Sequence, residues 1–171
     1  MELVDIEIGR HDWDALHCGC GAPAGHLAGA LARLARARSD EEARLDGIDG
    51  HAWIPSVVME PSVPVVSVAL AAITDDVSPA ARRAFLEIVL NLVGDEGQWE
   101  GATAQGRSLP EECRQAARAG LWTLYAEVLS GRSLDSAAYA FEILDLIEED
   151  EERLHRMQEA AGDRLPSDVR L

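Results

Sequence analysis

A chain of 171 residues can bury a core of its own, and an apolar content of 47% sets it apart from disordered polymers. Aromatic residues make up only 5%, with Ala and Leu dominant, which is a helix-former's alphabet poor in sheet-building residues. The balance of 31 acidic against 15 basic residues, every one of the latter Arg, gives a net charge of −16 and speaks against direct binding to nucleic acid or an anionic membrane.

Residues 1–11 read as an irregular lead-in, with an alternating stretch over 3–8 that resembles a strand without a partner. Asp12 is placed to cap a short turn through Trp13, Ala15 and Leu16, which Gly19 and Gly21 then break. From Pro23 to about Arg38, Leu27, Ala30, Leu31, Leu34 and Ala35 recur at helical spacing. Ser39 with Asp40, Glu41 and Glu42 predicts a fresh N-cap and a short helix to about Ile48.

Residues 49–61 read as a long loop, with Trp53 and Ile54 packing back. Helical pattern resumes at Val65 through Val68, Ala69, Ala72 and Ile73; a strand over 63–68 is the alternative. Ser78-Pro79 opens a helix to about Val93, and a Gly-rich acidic loop with Trp99 follows over 94–107. Ser108 and Glu111 suggest a capping box for one long helix to about Leu129. Ser133 or Asp135 opens the last packed helix, to about Ile147. Glu149 and Glu152 lie four residues before Arg153 and Arg156, the order that supports a solvated helix. The tail over 162–171 is expected to fray.

The pattern therefore predicts a single all-α domain over 1–171, of six or seven helices in stacked antiparallel pairs, a short α-solenoid. It resembles bacterial HEAT-like or armadillo-like proteins. The residues carrying the likeness are Asp12-Trp13-Asp14-Ala15-Leu16, Gly21-Ala22, the helix with Leu27, Leu31 and Leu34, the run 80–87 and Gly120-Leu121-Trp122. The His-Gln-Gly turn common in that group is absent. The resemblance implies a protein-binding scaffold, some of whose relatives look like toxin-neutralising immunity proteins.

His17, Cys18, Cys20 and His26 form the one stretch suited to metal or thiol chemistry. Cys-x-Cys is tighter than ordinary zinc spacing, so the expected role of the two thiols is to fill a tight turn, with no metal and no other cofactor. Three cysteines and no secretory leader predict a cytoplasmic protein without disulfides. Cys113 lies on an apolar stripe and reads as core. No nucleophile–base pair or phosphate loop is legible, so no enzymatic activity is expected. The expected working surface joins loop aromatics to carboxylates: Trp53, Trp99, Asp95, Glu96 and Glu100, with Glu148, Glu149 and Asp150 as a second patch. Such a surface suits a basic protein partner, including a DNA-binding protein for which this chain would act as a nucleic-acid mimic. Trp122 and Tyr125 read as core.

Overall fold

In the computed structural model, residues 2–167 and 169 are described, and 63% of these are helical. The first helix, α1 (Glu2–Gly9), lies where the sequence predicts an irregular lead-in. Over eight residues, alternation and helical spacing overlap. Val4 and Ile8, four apart, turn inward, and with no neighbouring strand the backbone groups are satisfied within the helix. A 3₁₀ turn (Trp13–Ala15) leads to α2 (Gly25–Arg36), whose Leu27, Ala30, Leu31, Leu34 and Ala35 are all buried.

The helix expected to follow stops after one turn. Ser39 does cap it, through Glu42 N–H to Ser39 Oγ at 3.3 Å. Residues 39–42 are exposed, however, and the segment lacks an apolar stripe to hold further turns. The following loop contains a small hairpin, β1 (Trp53–Ile54) and β2 (Val57–Val58). Helix α3 (Ser62–Thr74) takes the stretch for which a strand is the alternative reading, and α4 (Pro79–Gly94) begins where Ser78 Oγ accepts from Ala81 N–H. The 94–107 loop holds a short α5 (Glu100–Ala104).

The single long helix expected to Leu129 is two, α6 (Leu109–Arg118) and α7 (Leu121–Ser130). The break falls at Gly120, where a Cβ would sit 2.4 Å from Leu70 Cδ2, so α3 packs against bare backbone there. Ser108 makes no side-chain cap; Gln98 Oε1 instead accepts from Leu109 N–H. Helix α8 (Leu134–Ile147) starts at the Ser133 cap, and α9 (Glu151–Ala161) at the Asp150 cap. The tail does not fray at once: a 3₁₀ turn (Gly162–Arg164) brings Leu165 into full burial. Residues 168, 170 and 171 of the expected frayed segment lie outside the described residues.

The architecture is all-α apart from the two-stranded hairpin. Helix α4 lies centrally, with Phe85, Leu86, Ile88, Val89 and Leu92 sealed from solvent. It packs on α3 and α8, while α3 also packs on α1 and α6, and α7 on α8. Each such side chain contributes about 1.5–3 kcal/mol on burial, and together they form one continuous core. Among the described residues, no helix is long and apolar enough to cross a membrane.

Candidate metal centre

The segment between the first 3₁₀ turn and α2 folds back on itself. Cys18 N–H donates to Ala22 O at 3.1 Å and Gly21 N–H to Cys18 O at 2.9 Å, with Gly21 at φ +82°. This tight turn points Cys18 and Cys20 the same way, with their Sγ atoms 3.4 Å apart. Helix α2 begins directly afterwards and brings His26 over the turn, its Nε2 3.6 Å from Cys18 Sγ. The fourth group comes from elsewhere. Gly19 N–H donates to His51 O at 2.9 Å, which ties the turn to the 49–54 loop and sets His51 Nδ1 3.3 Å from Cys18 Sγ. His26 Nε2 and His51 Nδ1 are 2.9 Å apart.

The four ligand atoms all lie within 4.8 Å of one another, and among the described residues no other His, Cys, Asp or Glu group converges in this way. Zinc bonds of about 2.3 Å to sulfur and about 2.0 Å to nitrogen give tetrahedral edges of about 3.8 Å for S–S, 3.5 Å for S–N and 3.3 Å for N–N. Four of the six pairwise distances, 3.4, 3.3, 3.6 and 2.9 Å, fall within about 0.4 Å of those edges, and the two from Cys20 to the imidazoles lie within 4.8 Å. A His–His hydrogen bond accounts for the two nitrogens alone. The sulfurs join it through Cys20 Sγ donating to Cys18 Sγ and Cys18 Sγ meeting both imidazoles.

Local electrostatics suit ligation. The Ala22 amide donates to the Cys20 sulfur and holds its thiol below the ordinary value. Burial raises the Cys18 thiol, partly offset by the amides of Cys20 and Gly19 directed at its sulfur. Burial and then the neighbouring His26 keep the His51 imidazole toward its neutral form, the form that binds metal. Cys113 is a different case. Burial pushes its thiol up to about 12, and it donates to Ser62 Oγ in the core as expected from its stripe.

His17 of the predicted cluster is turned away. Its ring stacks on Trp99 with centroids 4.4 Å apart, and its N–H donates to Glu60 Oε2 at 2.8 Å. Glu60 in turn pairs with Arg107 at 3.2 Å, so the Cys18–Cys20 turn is braced against the 94–107 loop from behind. The ligand missing from the sequence reading, His51, is 33 residues from Cys18. The only sequence sign of it is a His between Gly50 and Trp53 in a loop expected to pack back.

The expected aromatic surface is largely internal. Trp53 is only 8% exposed, because the hairpin turns it into the core, and Trp99 is half-buried between His17 and α5. Asp95 is half-buried, which raises its carboxyl, whereas Glu96 and Glu100 are exposed. In the second patch, Glu148 accepts from the Tyr125 hydroxyl and pairs with Arg153 at 2.6 Å. Glu149 reaches Arg118, and Asp150 caps α9. Trp122, expected in the core, is 71% exposed with Arg153 over its ring, while Tyr125 is buried. Comparison with protein-family models, curated proteins and solved structures finds no match to this chain.

Proposed function

We propose that this chain is a helical scaffold protein stabilised by one divalent metal ion, zinc by its donor set, held by Cys18, Cys20, His26 and His51. The observation that carries the reading is the convergence of two sulfurs and two imidazole nitrogens within 4.8 Å. Two thiolates and two imidazoles match zinc's preference, and four protein ligands leave no open position, the pattern of structural rather than catalytic zinc. The ion would staple the start of α2 to the 49–54 loop, adding to the Gly19 N–H to His51 O bond that already joins them.

The test is metal content and cobalt spectroscopy on full-length protein purified without chelator. One equivalent of zinc, replaceable by cobalt with the intense visible bands of tetrahedral thiolate ligation, is expected. His51→Ala should lose most of the bound metal and His17→Ala should retain it. Loss in His17→Ala with retention in His51→Ala would overturn the ligand set, and metal-free protein would overturn the centre itself.

A second reading concerns what the scaffold does. Two rows of helices, α1, α3 and α6–α7 in one and α2, α4 and α8 in the other, support a short stack of helix pairs of the HEAT-like kind. Net charge of −16 and the exposed Trp122 favour stoichiometric binding of a basic protein, as an immunity factor or nucleic-acid mimic does. Equal recovery of one basic protein with the tagged chain at low salt is the expected result, and release at high salt checks it.

A further inference from the structure

The row of α1, α3 and α6–α7 is not flat. Helix α3 is sunk between its neighbours and leaves a groove of about 360 Å³, with Leu70 and Ala71 on the floor. Leu3 and Ile6 of α1 form one bank, and Ala119 and Thr123 the other. Leu3 is 45% and Ile6 62% exposed on the α1 bank, and Trp122 and Leu129 are exposed on α7, the helix whose Thr123 lines the second bank. Only Leu134 and Leu146 are comparably exposed elsewhere among the described residues. Scattered apolar residues need no explanation, but a grouping along one groove marks a contact surface.

Charge identifies the occupant, and it is distributed unevenly. Glu2 stands exposed at the start of α1, Glu7 on the α1 bank is paired with Arg10, and Asp5 turns away to Arg36 of α2. At the end of the groove where α1 starts and α3 stops, Leu3 N–H donates to the Asp75 carboxylate at 3.2 Å, and Asp76 beside it is exposed. The α7 bank is uncharged: Ala126 is exposed between Trp122 and Leu129, one helical turn from each. The arginines nearest the two banks are already engaged, Arg10 with Glu7, Arg36 with Asp5 and Arg153 with Glu148. A second copy of the chain would bring another molecule of net charge −16 against this acidic rim, which disfavours self-association. Among the described residues no strand edge borders the groove, and a channel between helices accepts a helix laid along it. We propose that this groove docks a basic amphipathic helix of a partner protein. Its apolar side chains enter between Ile6 and Thr123, and its Arg or Lys residues meet Glu2 and Asp76. The proposal rests on the basic-partner reading above and is independent of the metal.

The probe is a labelled five-turn peptide of Leu and Lys in amphipathic order, about 18 residues, followed by fluorescence anisotropy with the full-length protein. A peptide of the same composition in scrambled order is the control. The amphipathic peptide should bind about tenfold more tightly than the scrambled one, and Ile6→Glu should weaken it by a similar factor. That variant adds negative charge, so simple electrostatic attraction would tighten the complex instead. Ala119→Glu, on the opposite bank, repeats the test should Ile6→Glu alter the melting temperature. Equal affinity for both peptides, with tightening by Ile6→Glu, overturns the groove and leaves the basic-partner reading standing. Failure of both peptides to bind at low salt overturns both. A dimer in sedimentation that Ile6→Glu dissociates assigns the groove to a second copy and overturns the proposal.

Discussion

At the level of single residues, Gly19 decides whether the four proposed metal ligands can meet. A Cβ there would lie 2.7 Å from Gly50 O and 2.9 Å from Ile54 Cγ2, both in the loop that carries His51. Backbone cannot yield as a flexible side chain does, so any side chain at 19 must push the loop outward. Gly19→Ala is therefore expected to fold, since the strain falls on a surface turn, yet to bind metal at least about tenfold more weakly through displacement of His51. Competition against a chromophoric chelator measures this. Gly21→Ala makes a useful contrast, because no atom lies near its Cβ and its cost comes from a φ of +82° instead. Undiminished affinity in Gly19→Ala would mean that His51 is not fixed by this close approach.

Among the helices, one side chain links three of them. Arg82, on α4 and 8% exposed, donates to Ile73 O and to Asp75 O at the end of α3, where no basic residue of α3 itself is available. Its guanidinium also pairs with Glu127 of α7 at 3.3 Å, and Glu127 is 2% exposed. Arg132 reaches the same carboxylate oxygen from outside, while Glu127 Oε1 has no partner. Removing Arg82 uncaps α3 and leaves the buried carboxylate with Arg132 alone at the surface, so Arg82→Ala should cost about 3 kcal/mol in urea unfolding, the low end of the range for breaking a buried pair. Replacing Arg82 and Glu127 together by Leu should recover much of that loss; no recovery would assign the cost to the α3 cap alone. Such links explain which elements can be read from the chain. The Ser78 and Ser133 caps and the stripe of α2 are local signals and appear as the sequence predicts. The break between α6 and α7 depends on Leu70 meeting Gly120 some fifty residues later, and His51 enters the metal cluster through the Gly19 amide. Neither leaves a local periodic trace. Trp122 reads as core because α7 is apolar on more than one side, and periodicity alone does not say which side is covered.

For the molecule as a whole, the net charge of −16 and the Glu148–Arg153 ion pair act in opposite directions as pH falls. From neutrality toward about pH 5, protonation begins to relieve repulsion among 31 acidic side chains, so folding is expected to hold or strengthen there. Glu148 behaves differently. Arg153 beside it, helped by the Tyr125 hydroxyl and the Asp150 amide, lowers its carboxyl from 4.5 to about 2 and fastens α9 to α7. A carboxyl whose folded value is depressed contributes its stabilisation above the unfolded value. That contribution declines as pH falls below about 4.5 and is gone near 2. Glu148→Gln separates this effect from every other titration, metal ligands included, because those are common to both proteins. The stability difference between wild type and variant, from urea unfolding at each pH, should be constant from pH 7 to about 5 and should close between 4.5 and 2. A difference that stays open at pH 2 would mean that the Glu148 side chain holds α9 by shape and neutral hydrogen bonding, and that its charge contributes nothing to the dock.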